Sequence, residues 1–268
     1  MTIALLAPSP VPAPGLMVQL TAAAGALLLL TLLWGTFETR TLVGDPVWLK
    51  PAKFALSFVV TFGALALLQS RLSRDWADGW TIRGTAAVMA TAFLGEMAYM
   101  TAQAARGEAS HFNFSTPFNV SMYQLMGVGA VLLVLGIGVY GIVALLDRSA
   151  RLSRAQRLAT GLGFLATVLL TIPIAGYLGA NSDHHVGVAP PGAPAVPFLG
   201  WSGAVGDLRP AHFLALHAMQ ALPLYALWRE RGGRVARRGE IALVTVAWVG
   251  LTLAVFAQAL AGLPLVRL

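Results

Sequence analysis

Long apolar segments alternate with short polar connections along the whole chain. Seven segments are about 20 residues long, the length that crosses a bilayer as a helix. They lie near 15–36, 48–69, 80–104, 119–146, 157–180, 210–228 and 240–262. Spanning helices satisfy all their backbone groups internally, as lipid requires. The pattern therefore predicts an all-α fold, a polytopic membrane bundle of seven transmembrane helices in which residues 1–268 form a single domain.

The composition agrees with a membrane environment. Hydrophobic residues make up 57% of the 268 residues and charged residues only 11%, whereas soluble domains carry roughly 25% charged residues. No positively charged region precedes the first apolar segment, which is long for the core of a signal peptide, so we expect it to remain as a helix. The sequence has no cysteine, which excludes disulfides, thiolate nucleophiles and cysteine-ligated metals.

Most of the 18 Lys and Arg residues cluster in three alternate connections. These residues are Arg71, Arg74, Arg83, Arg148, Arg151, Arg154, Arg157, Arg229, Arg231, Arg234, Arg237 and Arg238. The positive-inside rule assigns such connections to the cytoplasm. We therefore expect a multi-pass protein of the bacterial cytoplasmic membrane, with a cytoplasmic N-terminus and a periplasmic C-terminus. The net charge of +7 is then explained by the membrane topology, and the expected partner is the lipid bilayer. No nucleic-acid partner is expected, because few aromatic residues accompany these short basic loops.

Polar side chains interrupt the apolar segments mainly in their periplasmic halves. These polar residues recur at helical spacing within three of the segments. They are Glu96, Tyr99, Gln103 and Arg106 in the third segment, Lys50 and Lys53 in the second, and His217 and Gln220 in the sixth. Such residues are costly in lipid and usually face the interior of a bundle or a cavity. We expect a polar site there, with Glu96 and Lys53 coupled across two helices. Asn113 and Arg209 complete the candidate ligand-binding side chains.

All five histidines belong to the same side of the predicted bundle. We predict a metal or haem site in which His217 or His212 is one ligand and His111 is its partner from another element. His212 and His217 are five residues apart, or roughly 140° around a helix, so they do not form a one-helix clamp. The sequence "DHH" at 183–185 is a weaker zinc candidate because it lies in a polar loop.

Asp207 directly precedes the sixth apolar segment. A carboxylate there satisfies free amides and meets the positive end of the helix, and Pro210 suits the first turn. These positions favour a structural role for Asp207 and Arg209. The preceding connection is rich in glycine and proline, with "APPGAP", and is predicted to be a lid or a linker.

Three stretches of the chain resemble a family of uncharacterised bacterial seven-helix integral membrane proteins. They are "WLKPAKFAL", "TAQAARGEASHFNFSTPFN" and "GWSGAVGDLRPAHFLALHAMQALPL", which contain the motifs SHFN and GDLRxAHFxxLHAxQ. The resemblance covers the second to sixth segments and implies the seven-helix architecture without naming a reaction. Alkaline ceramidases are a looser comparison, because their zinc site uses a histidine pair four residues apart. Retinal attachment as in microbial rhodopsins is excluded, since the last segment has no lysine.

Three functions fit these residues. The first is a redox protein with b-type haem or a metal, in which imidazoles are ligands and the Lys50, Lys53 and Arg209 charges meet haem propionates. The second is a transporter or receptor for a small anionic or polar ligand, bound in the polar vestibule. The third is a zinc-dependent hydrolase acting on lipids, with Glu96 or Asp207 as general base. A structural or assembly subunit is the alternative without a ligand.

Overall fold

The helices of the computed structural model follow the predicted apolar segments. The structure describes residues 15–233 and 236–268, so the N-terminal residues and Arg234 from the predicted basic clusters lie outside it. The described helices are α1 (Leu16–Gly35), α2 (Leu49–Gln69), α3 (Arg74–Ala77), α4 (Trp80–Arg106), α5 (Pro117–Leu146), α6 (Arg154–Ala180), α7 (Arg209–Arg231) and α8 (Arg238–Leu260). Two short antiparallel pairs join β1 (Thr41–Leu42) to β2 (Asp45–Pro46) and β3 (His185–Val186) to β4 (Gly206–Asp207). The all-α prediction is confirmed.

Five of these helices are long and apolar enough to cross a membrane: α1, α2, α5, α6 and α8. The two other long helices, α4 and α7, have 27 and 23 residues but carry more polar side chains. Several spanning helices of this kind indicate an integral membrane protein.

Local sequence sets the ends of the helices. The Thr116 side chain accepts the amide of Asn119 at the start of α5, where Pro117 takes the first position. A capping box between Ser153 and Gln156 begins α6. Gly107 ends α4 in the left-handed conformation with φ 73°, which glycine adopts without a side-chain penalty.

Close helix contacts depend on glycines that face a neighbouring helix. A Cβ at Gly136 of α5 would lie 2.5 Å from the sulfur of Met89, and one at Gly129 would lie 2.8 Å from Oε1 of Glu96. A Cβ at Gly163 of α6 would lie 2.7 Å from the Ala218 carbonyl oxygen of α7. Small residues let helices approach closely in membrane bundles, and these three glycines allow such contacts.

The largest core cluster of the described residues lies mainly between α1, α2, α4 and α5, and it also includes Phe164 of α6 and Met219 of α7. Phe62 of α2 and Phe93 of α4 are fully buried and meet edge to face, with ring centroids 5.2 Å apart. Ile82 and Met89 of α4 are also fully buried in this cluster. A second cluster joins α6, α7 and α8 through Leu170, Ala215 and Val255, among others. The polar helices α4 and α7 therefore lie within the bundle.

The bundle has two chemically different ends. At the arginine end, which comprises residues 70–79, 147–153, 232–233 and 236–237, the Arg151 amide donates to the Arg71 carbonyl at 2.7 Å, and Ser153 contacts the carboxylate of Glu230. At the loop end, which comprises residues 36–48, 107–116 and 181–208, the Arg40 guanidinium donates to the Ala105 carbonyl at 3.1 Å. All the described histidines lie at the loop end or in the helices that enter it.

Candidate functional site

Asp207 holds the 181–208 connection to the start of α7. Its buried carboxylate accepts hydrogen bonds from the amides of Ser202 and Arg209, both at 2.9 Å, and from the Arg209 guanidinium at 2.6 Å. Arg209 also donates to the Gly200 carbonyl at 2.5 Å. Burial acts to raise the pKa of Asp207, but the hydrogen bonds and charge of Arg209 outweigh it and hold this pKa below its usual range. These contacts favour the structural role over a general-base role.

The helix α7 begins at Arg209, one residue later than an N-cap at Asp207 would give, since Leu208 occupies the cap position. Asp207 still satisfies one of the free amides of the first turn through its contact with the Arg209 backbone. Pro210 lies in the first turn, as predicted.

Two lysines stand in the first turn of α2. That turn contains no acidic residue, and none of the ion pairs in the described ranges includes Lys50 or Lys53. The ammonium of Lys53 lies 5.7 Å from the ring centroid of Phe198, and the charges of Asp45 and Arg209 act on it. The positive end of the helix dipole adds to the two lysine charges. The start of α2 thus has a local excess of positive charge.

His111 lies among aromatic side chains next to Lys50. Its ring centroid is 5.7 Å from that of Phe54 and 6.1 Å from that of Tyr123, and its Nδ1 is 3.1 Å from the Ser110 hydroxyl. Burial and then the charge of Lys50 lower the pKa of His111 to about 3. The imidazole is therefore neutral near pH 7, and it adds no charge to the lysine pair.

The polar stripe of α4 is largely satisfied by its neighbours. The side-chain oxygen Oδ1 of Asn119, at the start of α5, accepts from the Tyr99 hydroxyl at 3.2 Å and from the Gln103 side-chain amide at 3.4 Å. Gln103 also contacts Glu108 at 3.3 Å, and Arg106 pairs with Glu108 at 3.0 Å on the exposed side. These side chains fasten α4 to α5 and to the turn that follows.

Asn113 is also engaged within its own loop. Its amide donates to the Ala109 carbonyl at 2.9 Å, and its oxygen accepts from the Ser115 amide at 3.2 Å. The contacts of Asn113 are those of a turn-forming residue.

Glu96 points between α4 and α5. It is 6% exposed, and its Oε1 has no hydrogen-bond partner within the part of the chain that the structure describes. The missing side chain of Gly129 leaves the space that this oxygen occupies. The expected coupling with Lys53 is not seen as an ion pair between the two side chains.

The histidines of α7 face different surroundings. His217 donates from Nδ1 to the Phe213 carbonyl at 2.8 Å and stacks on the Phe213 ring at 3.9 Å, which leaves its Nε2 as the nitrogen with a free lone pair. The buried Nδ1 of His212 and the buried Oε1 of Gln220 have no hydrogen-bond partner among the residues described.

The ring contacts of His111 are with Phe54 and Tyr123, outside α7. The structure therefore does not gather the three predicted ligands into one set, and their metal role stays a prediction.

One group of three metal-type ligands does come together in the described ranges, namely Asp183, His184 and His185. The motif "DHH" was its signal in the sequence. What the sequence did not reveal is the return of the loop onto α7, where the β3–β4 pairing sets His185 opposite Asp207. Burial, followed by the charges of Arg209 and His185, lowers the pKa of His184 to about 4.

Comparison with protein-family models, with curated proteins and with solved structures finds no match to this chain. The chemistry of the loop end is therefore the basis for a functional interpretation. It offers a cationic, aromatic surface at the start of α2, a structural ion pair at the start of α7, and an imidazole–carboxylate group on the connecting loop.

Proposed function

We propose that this chain is a seven-span protein of the bacterial cytoplasmic membrane that binds a small amphipathic anion at the start of α2. In this proposal it is a transporter or receptor, and the loop end faces the periplasm. The observation that carries the proposal is the lysine pair Lys50 and Lys53, since neither side chain has an ion-pair partner in the described part of the chain.

The helices α4 and α7 supply the two further spans of the proposed topology. At about 1.5 Å per residue, their 27 and 23 residues are long enough for the hydrocarbon core of a bilayer. Their apolar faces lie in the same core as the strongly apolar helices. The positive-inside rule places the arginine end in the cytoplasm, which puts the N-terminus inside and the C-terminus in the periplasm.

The electrostatics of the α2 start favour an anion. Two cations three residues apart lie on the same side of a helix, and the helix dipole makes this end more positive. Each positive charge at a helix N-terminus lowers the stability of the folded chain by about 0.3–1 kcal/mol. A bound carboxylate offsets that cost and gains charge-assisted hydrogen bonds.

The surroundings of the lysines favour an anion with an apolar part. The rings of Phe54 and Tyr123 lie beside neutral His111, and Phe198 lies under the ammonium of Lys53. Ligand sites of this kind combine apolar walls with a few polar groups that fix orientation. An alkyl or aryl carboxylate therefore fits better than a small, strongly hydrated anion such as sulfate.

The haem and zinc-hydrolase hypotheses depend on histidines that the structure keeps in separate surroundings. His111 contacts α2 and α5 side chains, whereas His217 stacks on its own helix. A haem held by two imidazoles, or zinc held by three, needs these rings close together. An absorption spectrum of the purified protein tests haem directly, and a Soret band lost in His217→Ala would replace the anion proposal with the redox one.

The anion proposal is tested with the full chain purified in detergent. Thermal unfolding is followed in the presence of acetate, octanoate, benzoate, phosphate and sulfate at constant ionic strength. We expect octanoate or benzoate to raise Tm, because a ligand that binds the folded state stabilises it by mass action. We expect acetate and sulfate to have less effect.

The Lys50→Gln variant removes one charge and keeps a polar side chain that is one atom shorter. A lost charge-assisted hydrogen bond of about 1.5–3 kcal/mol lowers the affinity for the anion about 10- to 100-fold. Arg267→Gln is the matched control, because Arg267 is an exposed cation near the same end of the bundle. Equal shifts in wild type and Lys50→Gln, or no shift with any anion, would contradict the proposal.

A further inference from the structure

Asp183, His184 and His185 bring three potential metal-ligand atoms close together on the 181–208 connection. The Nδ1 atoms of His184 and His185 lie 3.4 and 3.5 Å from the same carboxylate oxygen of Asp183. All three ligand atoms lie within 4.8 Å of one another. The two nitrogen–oxygen distances exceed the roughly 2.7–3.2 Å of an N–H···O hydrogen bond, so hydrogen bonding between imidazole and carboxylate does not explain the arrangement.

These separations match ligands that share one metal ion. Zinc lies about 2.0–2.1 Å from a histidine nitrogen and about 2.0–2.2 Å from a carboxylate oxygen, usually with tetrahedral geometry. Two such ligands are then about 3.3–3.5 Å apart. The distances from Asp183 to both imidazoles fall at this value.

The backbone that carries the three ligands is fixed by its neighbours. The Asn181 side-chain amide donates to the carbonyls of Asp183 and His185, both at 2.9 Å. The Leu208 amide donates to the His184 carbonyl at 2.9 Å, and the β3–β4 pairing holds His185. Sites held in this way bind with less loss of conformational entropy.

The group is open to solvent on one side. The side chains of Asp183, His184 and His185 are 56%, 32% and 25% exposed, so a hydrated ion can enter and keep a water molecule as a further ligand. Two imidazoles and one carboxylate suit zinc and similar transition metals, whereas calcium and magnesium prefer oxygen ligands alone. The charge of Arg209, which acts on His184, is paired with Asp207.

We propose that Asp183, His184 and His185 form a binding site for a divalent transition metal of the zinc class on the surface of the loop end. This site is distinct from the three-histidine set expected from the sequence and from the lysine pair of α2. It does not depend on the anion proposal, because none of its ligands is part of that surface.

The test uses the full chain in detergent, purified with a tag that contains no histidine. The protein is loaded with Zn²⁺ alone and dialysed, its zinc content is measured by mass spectrometry, and the affinity is measured by competition with a zinc-binding dye. We expect about one zinc ion per chain. The variant His184→Ala/His185→Ala removes two of the three ligands and should therefore abolish this zinc binding.

The variant His212→Ala/His217→Ala is the matched control, because it removes the same number of imidazoles from α7. We expect it to retain zinc. If His184→Ala/His185→Ala is destabilised, Asp183→Asn provides the second test, because it replaces an exposed side chain by one of the same shape. The Asp183→Asn protein should also bind zinc more weakly. A wild type without zinc, or zinc lost from the α7 variant and kept in the loop variants, would overturn the proposal.

Discussion

Replacement of Asp207 by alanine should strongly destabilise the loop end. The carboxylate accepts two backbone amides and the Arg209 guanidinium. Each buried amide left without a partner costs about 1–3 kcal/mol. The loss of one member of a buried ion pair costs about 3–5 kcal/mol, but exposed pairs contribute only about 0–1 kcal/mol. Since the Arg209 side chain is 31% exposed, we expect a total loss of about 3–5 kcal/mol.

Thermal unfolding in detergent measures this loss. A chain of this size loses about 2–4 °C of Tm per kcal/mol, so Asp207→Ala should lower Tm by about 6–20 °C. Tryptophan fluorescence is a suitable probe, because the Trp201 ring packs against Phe213 with centroids 5.6 Å apart in the same region. Asp207→Asn keeps an acceptor oxygen for an amide and should lose less.

The variant Arg209→Gln and the double variant Asp207→Ala/Arg209→Gln separate the ion pair from the backbone contacts. We expect the double variant to be less destabilised than the sum of the two single variants by about 1 kcal/mol or more, because the singles each leave one charge unpaired. A Tm for Asp207→Ala within about 1 °C of wild type, or strictly additive losses, would refute this account of α7.

Three further outcomes are expected. The pKa of His111 near 3 lies below the value of about 6.5 for an unfolded chain, so stability should fall as the pH drops below about 6.5, by up to about 1.4 kcal/mol per pH unit. His111→Asn should flatten the Tm profile between pH 7.5 and 5, and an unchanged profile would count against burial of a neutral ring. Gly163→Ala should lower the free energy of unfolding by about 1–3 kcal/mol, because its Cβ would meet the Ala218 carbonyl. Gly176→Ala on the same helix has open space around it and should leave Tm nearly unchanged. Equal effects of the two variants would contradict the α6–α7 contact. A reporter that is active only in the cytoplasm should give no signal when fused at Gly192, and a strong signal there would invert the proposed topology.

The helices could be predicted from hydropathy because lipid imposes a length and an apolar composition on each span. The predicted segment 48–69 became Leu49–Gln69, and 210–228 became Arg209–Arg231. The ends differ where capping or charged residues continue the helix past its apolar part. For example, α6 starts at Arg154, three residues before the predicted segment 157–180, because Ser153 caps it.

The partners of the polar side chains could not be predicted in the same way. We expected Glu96 and Lys53 to be coupled across two helices, but Glu96 faces Gly129 of α5 and Lys53 faces Phe198 of the long loop. Which face of a helix meets which neighbour depends on helix rotation and packing. A hydropathy pattern that is apolar on nearly all sides contains little of that information.

The loop residues show the same limit. Asp207 was predicted to be structural from its position before a helix, which is a local signal. Asp183, His184 and His185 lie where β3 pairs with β4, and these two strands are separated by about 20 residues in the sequence. The sequence alone indicated only a weak zinc candidate in a polar loop there.

The central claim is that the lysine pair of α2 binds an amphipathic anion. The most direct measurement is the equilibrium affinity of wild type, Lys50→Gln and Arg267→Gln for octanoate, determined by isothermal titration calorimetry on the purified chain at fixed ionic strength. The account predicts saturable binding of about one anion per chain, weakened about 10- to 100-fold in Lys50→Gln and unchanged in Arg267→Gln. Binding that is absent in wild type, or equal in all three proteins, would contradict it.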